Sequence, residues 1–171
     1  MEIKTDLDAF NFVVEKLLEQ NCKSVDHDET CSYRGYRPET IEDMTKRACE
    51  LAGVDYMLHE ELSDYMDYFN DIMSTTPPNA KCAVGHLISD VHYKGYVEGD
   101  GLNHDVFEMV QKSHPNWIID DEEESQWHML ADLQRIHDSS LPSEWPNDFE
   151  KMSKKFVNEK YHAELRIIDE Q

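Results

Sequence analysis

Basic side chains are scarce in this sequence. Lys and Arg number 16 against 37 Asp and Glu, which gives a formal net charge of −21. A surface of that sign repels phosphate backbones, so direct nucleic-acid binding is excluded as an expectation. No apolar run approaches the roughly 18 residues of a membrane span. The opening "MEIKTDLDAF" lacks the basic start and apolar stretch of a signal peptide, so a cytoplasmic protein with no membrane partner is expected. The four cysteines, Cys22, Cys31, Cys49 and Cys82, form no C-x-x-C pair, which removes the usual paired zinc spacing and makes reduced thiols the default. The glycine-rich "VEGDGLN" lacks the G-x-G-x-x-G and Walker patterns, and its acids oppose a phosphate. Internal repeats are absent as well.

What is present suits a globular protein. Hydrophobic residues make up 39% of the chain, and three Trp, eight Tyr and six Phe separate it from a disordered acidic tail. The expected fold is mainly α with at most a small hairpin. It is read as one compact domain over 1–171, with an acidic helical insertion at about 38–80 and a C-terminal helix and tail at 150–171.

Leu7, Phe10, Val13, Val14, Leu17 and Leu18 recur at helical spacing behind Thr5 or Asp6 as a cap. "TCSYRGYRP" reads as a strand or hairpin arm. A second helix is expected from Thr40, with Asp43 in an approximate capping box and Gly53 as its stop. A third is expected over about 55–73 with Leu58, Leu62, Tyr65, Phe69, Ile72 and Met73 inward. Further expectations are a short helix through 81–90, a helix capped by Asn103, and a short strand at "NWII". A helix to about His137 should follow, and then a last one from about Asp148.

Three sets of residues are candidates for function. The first is acidic. From Ala48 to Ala80 there are seven acids and no Lys or Arg, and Ser113 to Gln134 holds six more without a basic residue. Glu60, Asp64, Asp67 and Asp71 repeat at helical spacing, with Tyr65 and Tyr68 beside them as aromatic anchors. Asp120, Asp121, Glu122, Glu123 and Glu124 form a second run. These residues suit a basic partner; solubility alone is the plainer reading.

The second set is Cys82, His137 and Asp138, with Asp90 as an alternative orienter. A thiol near the start of a short helix, a base and a carboxylate are the ingredients of a cysteine-dependent hydrolase. The plainer reading makes Cys82 a small buried hydrophobe and His137 a hydrogen-bonded core histidine. The third set is metal-like: Cys31, Cys82, His86 and His137 with Asp90 or Asp138. Nine histidines assemble such a set by chance, and none shows i, i+4 His pairing, so no metal and no cofactor is expected.

Four blocks together resemble a group of small tailed-phage proteins. They are "CSYRG" at 31–35, "KCAVGHLISD" at 81–90, "YVEGDG" at 96–101, and "LADLQRIHD" at 130–138 followed by Trp145. That group runs C-x-Y-R, then K-C-A-x-G-x-L-I-x-D, then E-G, then L-Q-x-x-H-D, with no assigned activity. The resemblance spans the first helix and these blocks, about two thirds of the chain. It marks Cys31, Arg34, Cys82, Gly85, Asp90, Glu98, Gln134, His137 and Asp138, and Cys31, Arg34, Asp90, Glu98 and Gln134 are expected to join in one polar cluster. Residues 38–80 depart from the pattern, since relatives pass almost directly from the first block to the second. A phage-encoded accessory protein that binds a basic host protein is the leading expectation, with counter-defence or nucleic-acid mimicry as its sharper form. A cysteine hydrolase or a metal-stabilised module is the alternative.

Overall fold

A computed structural model describes residues 2–26, 30–61, 63–98, 101–118 and 124–154; the side chains of 59–61 and 124 lie outside it. Among the described residues the fold is mainly α with one two-stranded antiparallel sheet. Helix α1 (Asp6–Gln20) opens on the predicted cap: Thr5 and Asp8 form a reciprocal capping box, and Asn21 ends the helix in the left-handed region. Leu7 and Leu18, read as inward, are exposed, because the buried stripe is the narrower Ala9, Phe10, Val13 and Leu17.

The chain returns through residues 22–26 to β1 (Arg34–Gly35), which pairs with β2 (Ala80–Lys81). Val25 bridges both Cys31 and Tyr36, so "TCSYRGYRP" is the hairpin arm its composition suggested. Gln20 closes the free edge of β2, with its side-chain amide donating to the Lys81 carbonyl and accepting from the Lys81 amide.

Between the two strands lies a helical pair, α2 (Pro38–Ala52) and α3 (Met66–Thr75). Helix α2 begins two residues before the expected Thr40. Pro38 takes the first helical position, where its missing N–H costs nothing, and no side chain caps the start. Gly53 stops the helix at φ 71°, as expected. The single helix expected over 55–73 is instead a 3-10 helix (Tyr56–Glu61) followed by α3. Leu58 is half exposed rather than inward. Val25, Tyr36, Ile41, Met44, Ala48 and Phe69 form a small core for this pair, with Tyr65, Ile72 and Met73 packed against it.

The main core lies on the other side of the hairpin. It joins α1, the segment 82–88, α4 (His104–Ser113), α5 (Glu124–Ser139) and a helix α6 that covers 145–154. Asn103 caps α4 as expected, its side chain accepting from the Val106 amide. Helix α6 begins at Trp145, three residues ahead of the expected Asp148, and Trp145 itself is fully buried. "NWII" is not a strand at Trp117 and Ile118. Trp117 is instead a buried anchor whose indole N–H donates to Asp6 on α1 at 2.8 Å.

The segment 81–90 is not a helix. It is the end of β2, a four-residue 3-10 turn (Val84–Leu87), and an extended Ile88. Gly85 explains the form: a Cβ there would stand 2.0 Å from the Tyr33 carbonyl oxygen, so the turn lies directly on the first motif block. Among the described residues, no helix is long and apolar enough to cross a membrane.

Candidate functional site

The four motif blocks meet behind the hairpin. Glu98 is the clasp of the first block: it accepts from the Ser32 hydroxyl (2.6 Å), the Tyr33 amide (2.8 Å) and the Arg34 amide (2.9 Å), and Tyr93 hydroxyl donates to it as well. A carboxylate that accepts several main-chain donors fixes a backbone more firmly than a neutral group. Arg34 reaches Asp90 at 2.6 Å and lies over the Tyr93 ring at 4.1 Å. Lys81 joins Asp90 at 3.2 Å. The expected polar cluster therefore forms in two parts, one around Arg34, Asp90 and Glu98 and the other around Cys31 and Gln134.

The second part contains the reactive residue types. His137, at the end of α5, is fully buried, and Trp145 stacks on its ring at 5.5 Å. Its Nε2 accepts the Ser24 amide at 3.2 Å, and its Nδ1 lies 2.8 Å from Asp138 Oδ1 and 3.8 Å from Cys31 Sγ. These contacts fix the tautomer. With the lone pair of Nε2 committed to an N–H donor, Nδ1 carries the proton and donates it to Asp138. Gln134 adds donors to Cys31 Sγ (2.9 Å) and to both Asp138 oxygens (2.9 and 3.1 Å), while its carbonyl takes the Val84 amide at 3.4 Å.

The charge states follow from these neighbours. Hydrogen bonding to Cys82 pushes the Cys31 thiol strongly up, burial adds to it, and the contact with His137 opposes it only in part. Burial raises Asp138, but hydrogen bonds from His137, Cys31 and Gln134 outweigh it and leave the carboxyl below its usual range. Burial lowers His137, whereas Asp138 and Cys31 at Nδ1 favour its cation and push it up. The Ser24 amide opposes that cation, because a doubly protonated ring would aim N–H at N–H; the neutral Nδ1–H form satisfies every contact.

This geometry corrects the hydrolase assignment. The thiol beside His137 is Cys31, not Cys82. Cys82 is fully buried behind Cys31, where its sulfur accepts the Gly85 amide at 3.3 Å. In a working nucleophile–base–orienter chain, thiol and carboxylate occupy opposite ring nitrogens. Here both stand at Nδ1, and no lone pair on the ring is free to take the thiol proton. Sequence reasoning places Cys31 among the metal-like candidates and in the polar cluster but not as the hydrolase thiol, because it sits outside any predicted helix. The Val25–Cys31 bridge turns it toward α5, and pairing of that kind leaves no periodic signal.

A pocket of about 190 Å³ opens on this cluster, lined by Cys31, Tyr33, Cys82, Gly101, Leu102, Gln134 and Asp138. The donor atoms of Cys31, His137 and Asp138 all lie within 4.8 Å of one another, so among the described residues these three form a set able to hold a metal ion. The set expected from sequence is trimmed accordingly. Cys82, Asp90 and the half-buried His86 fall outside that distance limit, and Asp90 is committed to Arg34 and Lys81.

The acidic candidates are placed apart from this pocket. Asp67 and Asp71 are exposed on α3, and Asp64 is exposed just ahead of it. Tyr68 is 42% exposed, while Tyr65 is half-buried against the small core, so only Tyr68 keeps the role of an outward aromatic. The four-carboxylate stripe is interrupted, since Asp64 is not helical and the Glu60 side chain lies outside the described residues. Asp120, Asp121, Glu122 and Glu123 also fall outside them, and Glu124 is seen only as the first residue of α5. Comparison with family models, with curated proteins and with solved structures finds no match to the chain.

Proposed function

We propose that the protein is a strongly acidic accessory protein that docks on a basic protein through the helical pair α2–α3. One observation carries this reading: Asp67 and Asp71 on α3, and Asp64 just ahead of it, are exposed beside a helical pair with its own small core, and among the described residues none of them makes an ion pair. Two acids of α2 differ, with Glu42 paired to Lys46 at 2.5 Å and Glu39 to Arg37 at 3.6 Å. Unpaired carboxylates on an ordered helix hold a field that a cationic partner neutralises, which raises the association rate and fixes register. Leu51, Met57, Leu58 and Tyr68, all from this part of the chain, are 42–83% exposed and supply apolar contact area.

The likeness to tailed-phage proteins makes a host protein the expected partner. One that ordinarily holds nucleic acid fits best, with carboxylates standing where phosphates would lie and counter-defence as the corresponding role. The cysteine hydrolase has no observation in its favour once both thiol and carboxylate are found at Nδ1. The test is affinity capture from host extract with the wild type and an Asp64→Asn, Asp67→Asn, Asp71→Asn variant. The reading requires a partner that is released by moderate salt and lost by the variant; equal retention by both proteins rejects it.

A further inference from the structure

The Cys31–His137–Asp138 group has no part in docking, and its chemistry stands independently of that reading. A thiol, an imidazole nitrogen and a carboxylate converge within 4.8 Å of one another. They do so at the mouth of a pocket that reaches solvent, and a second thiol, Cys82, hydrogen-bonds the first from behind. In a tetrahedral zinc site with ordinary bond lengths, the nitrogen–sulfur edge is about 3.6 Å and the nitrogen–oxygen edge about 3.3 Å. The corresponding distances here are 3.8 Å and 2.8 Å, so on these two edges entry of an ion asks for movements of about half an ångström, and the sulfur–oxygen edge lies within 4.8 Å.

We propose that Cys31 Sγ, His137 Nδ1 and an Asp138 oxygen bind one thiophilic divalent transition-metal ion of the zinc class, with the fourth position turned toward the pocket. A sulfur–nitrogen–oxygen set suits zinc or cobalt and does not suit calcium or magnesium, which take oxygen ligands. The surroundings fit an outer shell: Gln134 donates to both Cys31 Sγ and Asp138, and Cys82 lies against the Cys31 sulfur.

The proton balance is definite. Cys31 releases its thiol proton to solvent through the pocket. The imidazole stays neutral by giving up the proton on Nδ1 and taking one on Nε2. One proton is released for each ion bound. The new Nε2–H then faces the Ser24 amide, which loses its acceptor. The loss of one neutral hydrogen bond is small beside the free energy of a thiolate–metal bond, so the ion prevails and Ser24 must find another partner. Metal entry is thereby coupled to the backbone of 22–25, the segment that carries the Val25 bridges to Cys31 and Tyr36.

The experiment is titration of the chelator-treated, reduced full chain with cobalt(II). One equivalent should bind with the near-ultraviolet charge-transfer band of a single thiolate ligand, and zinc should displace it. Cys31→Ser should abolish the band, and Asp138→Asn should weaken binding at least tenfold. Cys82→Ser should leave the band in place, as should Cys22→Ser and Cys49→Ser as controls. Circular dichroism of each metal-free variant separates loss of a ligand from loss of fold. Nitrogen-15 spectra of the histidines should show the His137 ring proton moving from Nδ1 to Nε2 when zinc is added. Absence of a sulfur-to-cobalt band in the wild type overturns the proposal, as does a band that survives Cys31→Ser or an unchanged His137 tautomer in the loaded protein.

Discussion

Gly85 carries more of the architecture than any charged residue in the motif blocks. The 3-10 turn rests on the Tyr33 carbonyl with no room for a methyl group. Gly85→Ala should therefore destabilise the protein on the order of 3 kcal/mol, with the folding core rather than a loop reporting the loss. Chemical denaturation measures it, and a change below 0.5 kcal/mol, by rough allowance for a surface-like site, contradicts the packing described. His86 makes a second prediction at this scale. It is half-buried, its buried Nε2 finds no partner among the described residues, and burial, with Lys81 nearby, lowers its pKa to about 4. The unfolded chain then binds a proton that the folded chain refuses. Stability from this group is intact above about pH 6.5 and falls as pH drops toward 4, by an amount on the order of 3 kcal/mol. His86→Leu should flatten that part of the stability–pH curve relative to wild type; parallel curves for the two proteins contradict it. The resemblance marks Gly85 in the sequence, and the structure supplies the reason, a close approach to the backbone of Tyr33. Cys31 and His137 stand together among the metal-like candidates on residue type alone; their contact was not legible, since two side chains that meet across about a hundred residues leave no local pattern.

At the scale of elements, the helical pair α2–α3 depends on a core small enough for one side chain to decide it. Phe69 is buried among Ile41, Met44 and Ala48, and its truncation removes most of what α3 offers α2. Phe69→Ala should cost about 3 kcal/mol or more. Hydrogen exchange should rise in α2 and α3 while α1 and α5, which belong to the main core, stay protected. Uniform loss of protection along the chain would show that the pair is not a separately packed unit. The caps and stops of helices were readable, as Thr5, Gly53 and Asn103 show, because their hydrogen bonds are made within a few residues. The break of the expected 55–73 helix was not, since Leu58 has helical spacing yet is left half exposed by the fold. The 81–90 segment misled in the same way. Its apolar residues are buried on several sides, and continuous burial looks alike in a short helix and in a strand followed by a turn.

At the scale of the whole molecule, the net charge of −21 opposes compactness. Screening should relieve that repulsion, so the melting temperature should rise by roughly a few degrees between low and physiological ionic strength. A fall over the same range would mean that attractive ion pairs such as Arg34–Asp90 outweigh the repulsion. The sign and uneven placement of the charge were plain from composition; its presentation on an ordered helix with unpaired carboxylates was not, because pairing depends on which cations the fold brings near. Docking by this surface is tested most directly by the salt dependence of partner binding. The captured host protein should bind the wild type with an affinity that falls steeply, by tenfold or more, as salt is raised from low to physiological strength, and the Asp64→Asn, Asp67→Asn, Asp71→Asn variant should lose most of both the affinity and the slope. An affinity that is unchanged by salt, or a variant that binds as the wild type does, contradicts it.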